Sequence, residues 1–80
     1  MVITVYCFAR ARELLGDTVT IEVEEPATVA DLLQRLQQRF PMSREFLARS
    51  ALAVNRQIAS GRDPVPGDAE VALIPPVSGG

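Results

Sequence analysis

Apolar and polar positions along this chain fall into short runs with two different periods. Residues 2–8, VITVYCF, alternate with period two, the repeat of a strand whose successive side chains point to opposite faces. Ile3, Val5 and Cys7 form the set assigned to the core, and Thr4, Tyr6 and Phe8 form the other. A helical turn is predicted at ARARELLG, with Gly16 as its C-terminal cap. TVTIEVE then alternates strictly, Val19, Ile21 and Val23 inward and Thr18, Thr20, Glu22 and Glu24 outward, as in a strand with one wet face. In PATVADLLQRLQQRFP the period becomes helical, and Val29, Leu32, Leu33, Leu36 and Phe40 make one apolar stripe. Thr28 followed by Asp31 has the form of a capping box, and Pro41 stops the helix. SREFLARS supplies another short helical turn. ALAVN reads as a third strand, Leu52 and Val54 inward, with Asn55 suited to a left-handed turn position. A Pro66-Gly67-Asp68 turn leads into a last strand in which Val71 and Leu73 face in and Ala72 and Ile74 face out.

The order strand, strand, long helix, strand, strand predicts an α+β domain: one mixed sheet covered on one face by one main helix. With the first and last strands parallel neighbours in the middle of the sheet, this is the β-grasp, the ubiquitin-like arrangement. The domain is assigned to residues 1–74, followed by a flexible C-terminal tail, residues 75–80.

Composition narrows the chemistry. Eighty residues make one domain, and 48% hydrophobic content is that of a globular chain. No apolar run approaches the roughly 18 residues of a membrane helix, and no secretory signal is evident, so a cytoplasmic protein without a membrane role is expected. A net charge of −2 argues against nucleic acid, which requires a cationic face. All eight basic residues are arginine, which leaves no side-chain amine for Schiff-base chemistry. With no histidine and one cysteine, classical triads are absent and a metal site has almost nothing to build from. Cys7 has no disulfide partner, and its place in the Ile3–Val5–Cys7 alternation makes it a small core hydrophobe.

What remains is the tail. Pro75 and Pro76 lack the N–H needed to continue a ladder, so the chain leaves the sheet there. From Pro75 to Gly80 it can reach roughly 20 Å, at about 3.3 Å per residue. Gly79 and Gly80 have no Cβ, so they can thread a narrow channel and deliver a carboxylate, ionised at neutral pH, to a buried site. That carboxylate can be adenylated by a partner enzyme using ATP and captured by a sulfur donor as a thiocarboxylate.

The segments FARARELLG, LAVN and GDAEVALIPPVSGG together resemble the small subunit of molybdopterin synthase, the MoaD family of ubiquitin-like sulfur carriers. The ending Pro75-Pro76-Val77-Ser78-Gly79-Gly80 is the most specific part of that resemblance. It implies that a ubiquitin-activating-type adenylyltransferase acts on Gly80 and that sulfur reaches Gly80 from an indirect donor. It also implies that Pro75, Pro76, Val77, Ser78 and Gly79 insert into the large synthase subunit, within a heterotetramer. There the thiocarboxylate donates sulfur to a pyranopterin precursor to form the molybdopterin dithiolene. The chain alone would turn nothing over and would bind no cofactor or metal. Readings as a ubiquitin-like protein modifier, as a carrier for thiamin or tRNA thiolation, or as a docking module without covalent chemistry stand beside it.

Strand phase adds a partner surface. Phe8 and Ile74, with Tyr6, Ala72 and Ile58, would form an apolar patch at the root of the tail, and such patches mark interfaces. In the resembled family the equivalent surface contacts both protein partners. Arg10 and Arg12 can either serve that interface as bidentate partners of carboxylates or remain solvated charge, with Glu13 neutralising one of them.

Overall fold

In the computed structural model, which describes residues 1–76, the alternation of VITVYC becomes strand β1 (Val2–Cys7). Helix α1 (Ala9–Leu15) follows and ends at Gly16, whose φ of 102° is open to glycine and whose N–H donates to the Arg12 carbonyl. Strand β2 (Thr18–Glu22) returns antiparallel to β1. Helix α2 (Val29–Arg39) comes next, then a 3-10 turn (Pro41–Ser43) and helix α3 (Arg44–Ala48). Strands β3 (Ala51–Val54), β4 (Gln57–Ala59) and β5 (Val71–Ile74) complete a single sheet of order β2-β1-β5-β3-β4. The parallel β1–β5 pair lies at its centre, which is the β-grasp predicted from the order of elements.

Five strands replace the four expected. Gln57–Ala59 was not read as a strand because Ile58 is its one large apolar residue and it lies 66% exposed, so the segment shows no alternation. The hairpin that forms it turns at Asn55 and Arg56, with φ of 51° and 71°. Paired positive φ values are the requirement of a tight two-residue hairpin turn, usually met by Asn-Gly. Asn55 is thus in the left-handed region as expected, and Arg56 occupies the position where glycine is usual.

The core lies between the sheet and α2. Ile3, Val5 and Cys7 pack with Val19, Ile21, Leu52, Val71 and Leu73 from the sheet and with Val29, Leu32 and Leu36 from the helix. Leu33, Phe40 and Val54 are partly buried against this cluster. Each fully buried leucine contributes about 1.5–3 kcal/mol relative to exposure. Leu47 of α3 is also fully buried, so the short helix after Pro41 closes one end of the core. Val65 and Ala27, both in loops, are buried as well and are joined by the bond from Val65 N–H to the Ala27 carbonyl.

The start of α2 shows why it begins where it does. Asp31 N–H donates to Thr28 Oγ1 at 3.2 Å, and Thr28 N–H donates to Asp31 Oδ2 at 2.9 Å, a reciprocal capping box. Val29 N–H and Ala30 N–H donate to the Asp63 and Gly61 carbonyls, so the first turn leaves no donor for an outside ligand. Thr28→Ala removes one half of the box and is expected to cost about 1 kcal/mol. In a domain of this size the thermal midpoint should fall by about 4–8 °C, measurable by circular dichroism. An unchanged midpoint would show that the loop bonds alone hold the helix start.

Candidate docking site at the root of the tail

Register places the patch. Tyr6 of β1 pairs with Ala72 of β5, Ala72 with Ala53 of β3, and Ala53 with Ile58 of β4. These four side chains therefore form one row across the open face of the sheet, opposite α2. Two alanines in the middle make a low floor, and Tyr6 and Ile58 stand as walls. One step further along the parallel strands come Phe8 and Ile74, at the end where the chain passes into Pro75 and Pro76. Together with Arg56 and Glu70 these residues line a single apolar groove.

Exposure distinguishes floor from walls. Ala53 is buried, Ala72 and Ile74 are half-buried, and Phe8 and Ile58 are 53% and 66% exposed. Phe8 is the cap residue of α1, in extended conformation at φ −131°. The next residue, Ala9, has φ of 51°, a left-handed conformation that costs a residue with a Cβ. The chain accepts that strain at the point where Phe8 leaves β1.

The polar rim is at the opposite end of the groove from the prolines. Asn55 Oδ1 accepts from Glu70 N–H at 3.0 Å, and Asn55 N–H donates to the Glu70 carbonyl at 2.8 Å, fixing the entry to β5. Arg56 Nε donates to Glu70 Oε1 at 3.3 Å across the mouth. Both partners of this ion pair are exposed, so it adds little stability.

Of the residues expected at the interface, the structure brings Phe8, Ile58, Ile74, Tyr6 and Ala72 together. Arg12 is not among the groove residues; its Nε lies 3.6 Å from Asp17 Oδ1, a loose exposed pair. Arg10 is neutralised by Glu13 at 2.9 Å. Ala53, Arg56 and Glu70 were not singled out from sequence. Ala53 shares the face opposite Leu52, and its partners in the row become visible only with the register. Pro75 and Pro76 are half-buried; Val77, Ser78 and Gly79, expected to insert into a partner, and Gly80, expected to carry the chemistry, lie outside the described residues.

Cys7 does not join the site. It is buried, and burial first, then the Asp17 carboxylate, pushes its thiol above the usual range. A thiol held protonated is a poor nucleophile. Among the described residues no group of three or more His, Cys, Asp or Glu side chains gathers to hold a metal ion, and no helix is long and apolar enough to cross a membrane.

An apolar trough on the open face of a five-stranded β-grasp sheet, leading to a double proline, defines a ubiquitin-like protein with a groove beside Pro75 and Pro76. Residues 5–80 match the ThiS family, and the chain belongs to it. It is 37% identical over 79 residues to the molybdopterin synthase sulfur carrier subunit of Arabidopsis thaliana, covering 98% of this chain and 82% of that one. To the protein of the same name from Mycobacterium tuberculosis it is 35% identical over 80 residues, covering 98% and 96%. Among solved structures, SAMP1 from Haloferax volcanii superimposes with a TM-score of 0.81 at 28% identity, with both chains fully covered. The resemblance drawn from the sequence is thus matched by relatives that span nearly its whole length.

Proposed function

We propose that the chain is the sulfur carrier subunit of a molybdopterin synthase and works through the carboxyl group of Gly80. The observation that carries this reading is the course of β5, which runs through the centre of the sheet and passes into Pro75 and Pro76 beside an apolar groove. A partner seated on Phe8, Ile58 and Ile74 meets the start of the tail at the edge of its own footprint. Family membership and the names of the two relatives support the same reading.

In this reading a ubiquitin-activating-type adenylyltransferase binds the groove and ATP. A carboxylate oxygen of Gly80 attacks the α-phosphorus of ATP, pyrophosphate leaves, and an acyl-adenylate forms. A sulfide-equivalent donor attacks the acyl carbon, AMP leaves, and the terminus becomes a thiocarboxylate. The carrier then moves to the large synthase subunit, in a heterotetramer, where the thiocarboxylate sulfur bonds to a carbon of the pterin precursor as an oxygen substituent leaves it. Water then cleaves the acyl–sulfur bond, so that the sulfur stays on the pterin and Gly80 returns as a carboxylate. This chain supplies orientation and reach, while ATP and the pterin belong to its partners' sites. A cytoplasmic location fits this traffic. In protein isolated from cells that retain the adenylating enzyme, intact mass should show one oxygen exchanged for one sulfur, located by fragmentation on Gly80. A terminus that is wholly carboxylate under those conditions would overturn the proposal.

The likeness to a small archaeal modifier protein favours a second reading, in which Gly80 is joined to amines on other proteins. The sequence contains no lysine, so side-chain-linked chains of this protein are excluded in either case. Covalent adducts of higher mass on immunoblots, lost when Gly80 is removed, would support it.

A further inference from the structure

One edge of the sheet is strand β2, and its ladder with β1 fixes which backbone groups face outward. Met1 and Val23 exchange both bonds, Met1 N to the Val23 carbonyl at 2.7 Å and Val23 N–H to the Met1 carbonyl at 2.9 Å. Cys7 N–H donates to the Asp17 carbonyl at 2.9 Å at the far end of the same ladder. Bonded and non-bonded pairs alternate along an antiparallel ladder. Asp17, Val19, Ile21 and Val23 therefore direct their N–H and C=O toward β1, and Thr18, Thr20 and Glu22 direct theirs away from the sheet. An outward row of that kind is a template for another strand.

Two arginines of α2 meet two of its three carbonyls. Arg39 Nη1 donates to the Thr20 carbonyl at 2.9 Å, and Arg35 Nε donates to the Glu22 carbonyl at 3.3 Å. The match is geometric. Successive outward carbonyls of a strand are two residues apart, about 6.6 Å, and residues four apart on a helix rise about 6 Å. The helix runs opposite to β2 at this contact, so Arg35 meets Glu22 and Arg39 meets Thr20 in order. The guanidinium groups stand where a pairing strand would place its donors.

We propose that Arg35 and Arg39 form a latch over the β2 edge that denies it to a second copy of this chain. The self-pairing it blocks is two-fold symmetric, with β2 antiparallel to β2 and Thr20 opposite Thr20. That register sets Thr18 against Glu22 on both sides and extends the sheet across two molecules. The latch leaves the groove and the tail root as the docking surface and keeps carriers from joining edge to edge. It stands independently of the sulfur chemistry.

The test uses the full chain in sedimentation velocity over a concentration series. Arg35→Gln with Arg39→Gln shortens both side chains and removes the charged donors. This double variant should form a reversible dimer at concentrations where the parent sediments as one chain. Adding Thr20→Pro should return it to one chain, because the N–H of Thr20 points outward and proline removes it without breaking a bond to β1. Thr20→Pro alone should leave the mass unchanged, with circular dichroism reporting an intact fold. A double variant that never associates beyond the parent overturns the proposal. So does a dimer that survives Thr20→Pro, since that association runs through another surface.

Discussion

Appending a single glycine after Gly80 should abolish sulfur transfer while leaving the thermal midpoint unchanged. The added residue moves the carboxyl carbon by about 3.3–3.6 Å. Misplacing a reacting group by about 1 Å can already cost on the order of a hundredfold in rate. Neither the adenylating site nor the synthase site would then meet the group it needs. An appended glycine tests length alone, and Gly80→Ala tests the room for a Cβ at unchanged length. Molybdopterin formation with purified large subunit, read together with intact mass after the adenylation reaction, separates loss of activation from loss of delivery. The fold should not respond, because the core is made of residues no later than Leu73. Molybdopterin formed at the parent rate by the extended chain would exclude the terminal carboxyl as the reacting group.

The second large effect is expected at Phe8. Replacing it with aspartate places a charge beside Tyr6 and Ile74, in the groove proposed to be covered by both partners. Aromatic anchors at the centre of an interface cost about 2 kcal/mol or more when truncated. The affinity for the large subunit should therefore fall at least about thirtyfold. Stability should hold, because Phe8 is 53% exposed and is the cap residue of α1 without a side-chain cap bond. Aspartate is a favoured residue at such a position. Met42→Asp is the matched control, since Met42 is 99% exposed and lies outside the groove. Titration calorimetry showing equal affinity for the parent and both variants would remove the groove from the interface.

Much of this architecture was legible before any coordinates, and the reasons are local. Ile3, Val5 and Cys7 against Tyr6 divide β1 into two faces, Phe8 just beyond it continues the second, and the structure buries the first three and exposes the other two. Thr28 and Asp31 announced the helix start, and both bonds of the box are present. Strand β4 was not legible, because its turn uses Asn55-Arg56 and its only large apolar side chain faces solvent. Ala53 lies on the face opposite Leu52, yet it is buried, because Tyr6, Ala72 and Ile58 stand in the same row on neighbouring strands. The role of Arg35 and Arg39 was equally out of reach. On a helical wheel they are two polar-face residues, and only the register of β1 with β2 reveals the carbonyls they meet. The chemistry proposed for Gly80 is the reverse case, since it is argued from the residue types of the ending Pro75-Pro76-Val77-Ser78-Gly79-Gly80 and takes from the fold only the position of Pro75 and Pro76.

The position of β5 has a mechanical consequence. Tension applied at Pro75 in the direction of β5 would act along the strand. It is resisted in shear by bonded neighbours on both sides, parallel β1 and antiparallel β3. A peripheral strand would be held by one neighbour, whereas this one must slip past two at once. Two bonded neighbours therefore hold β5 against a pull along its axis.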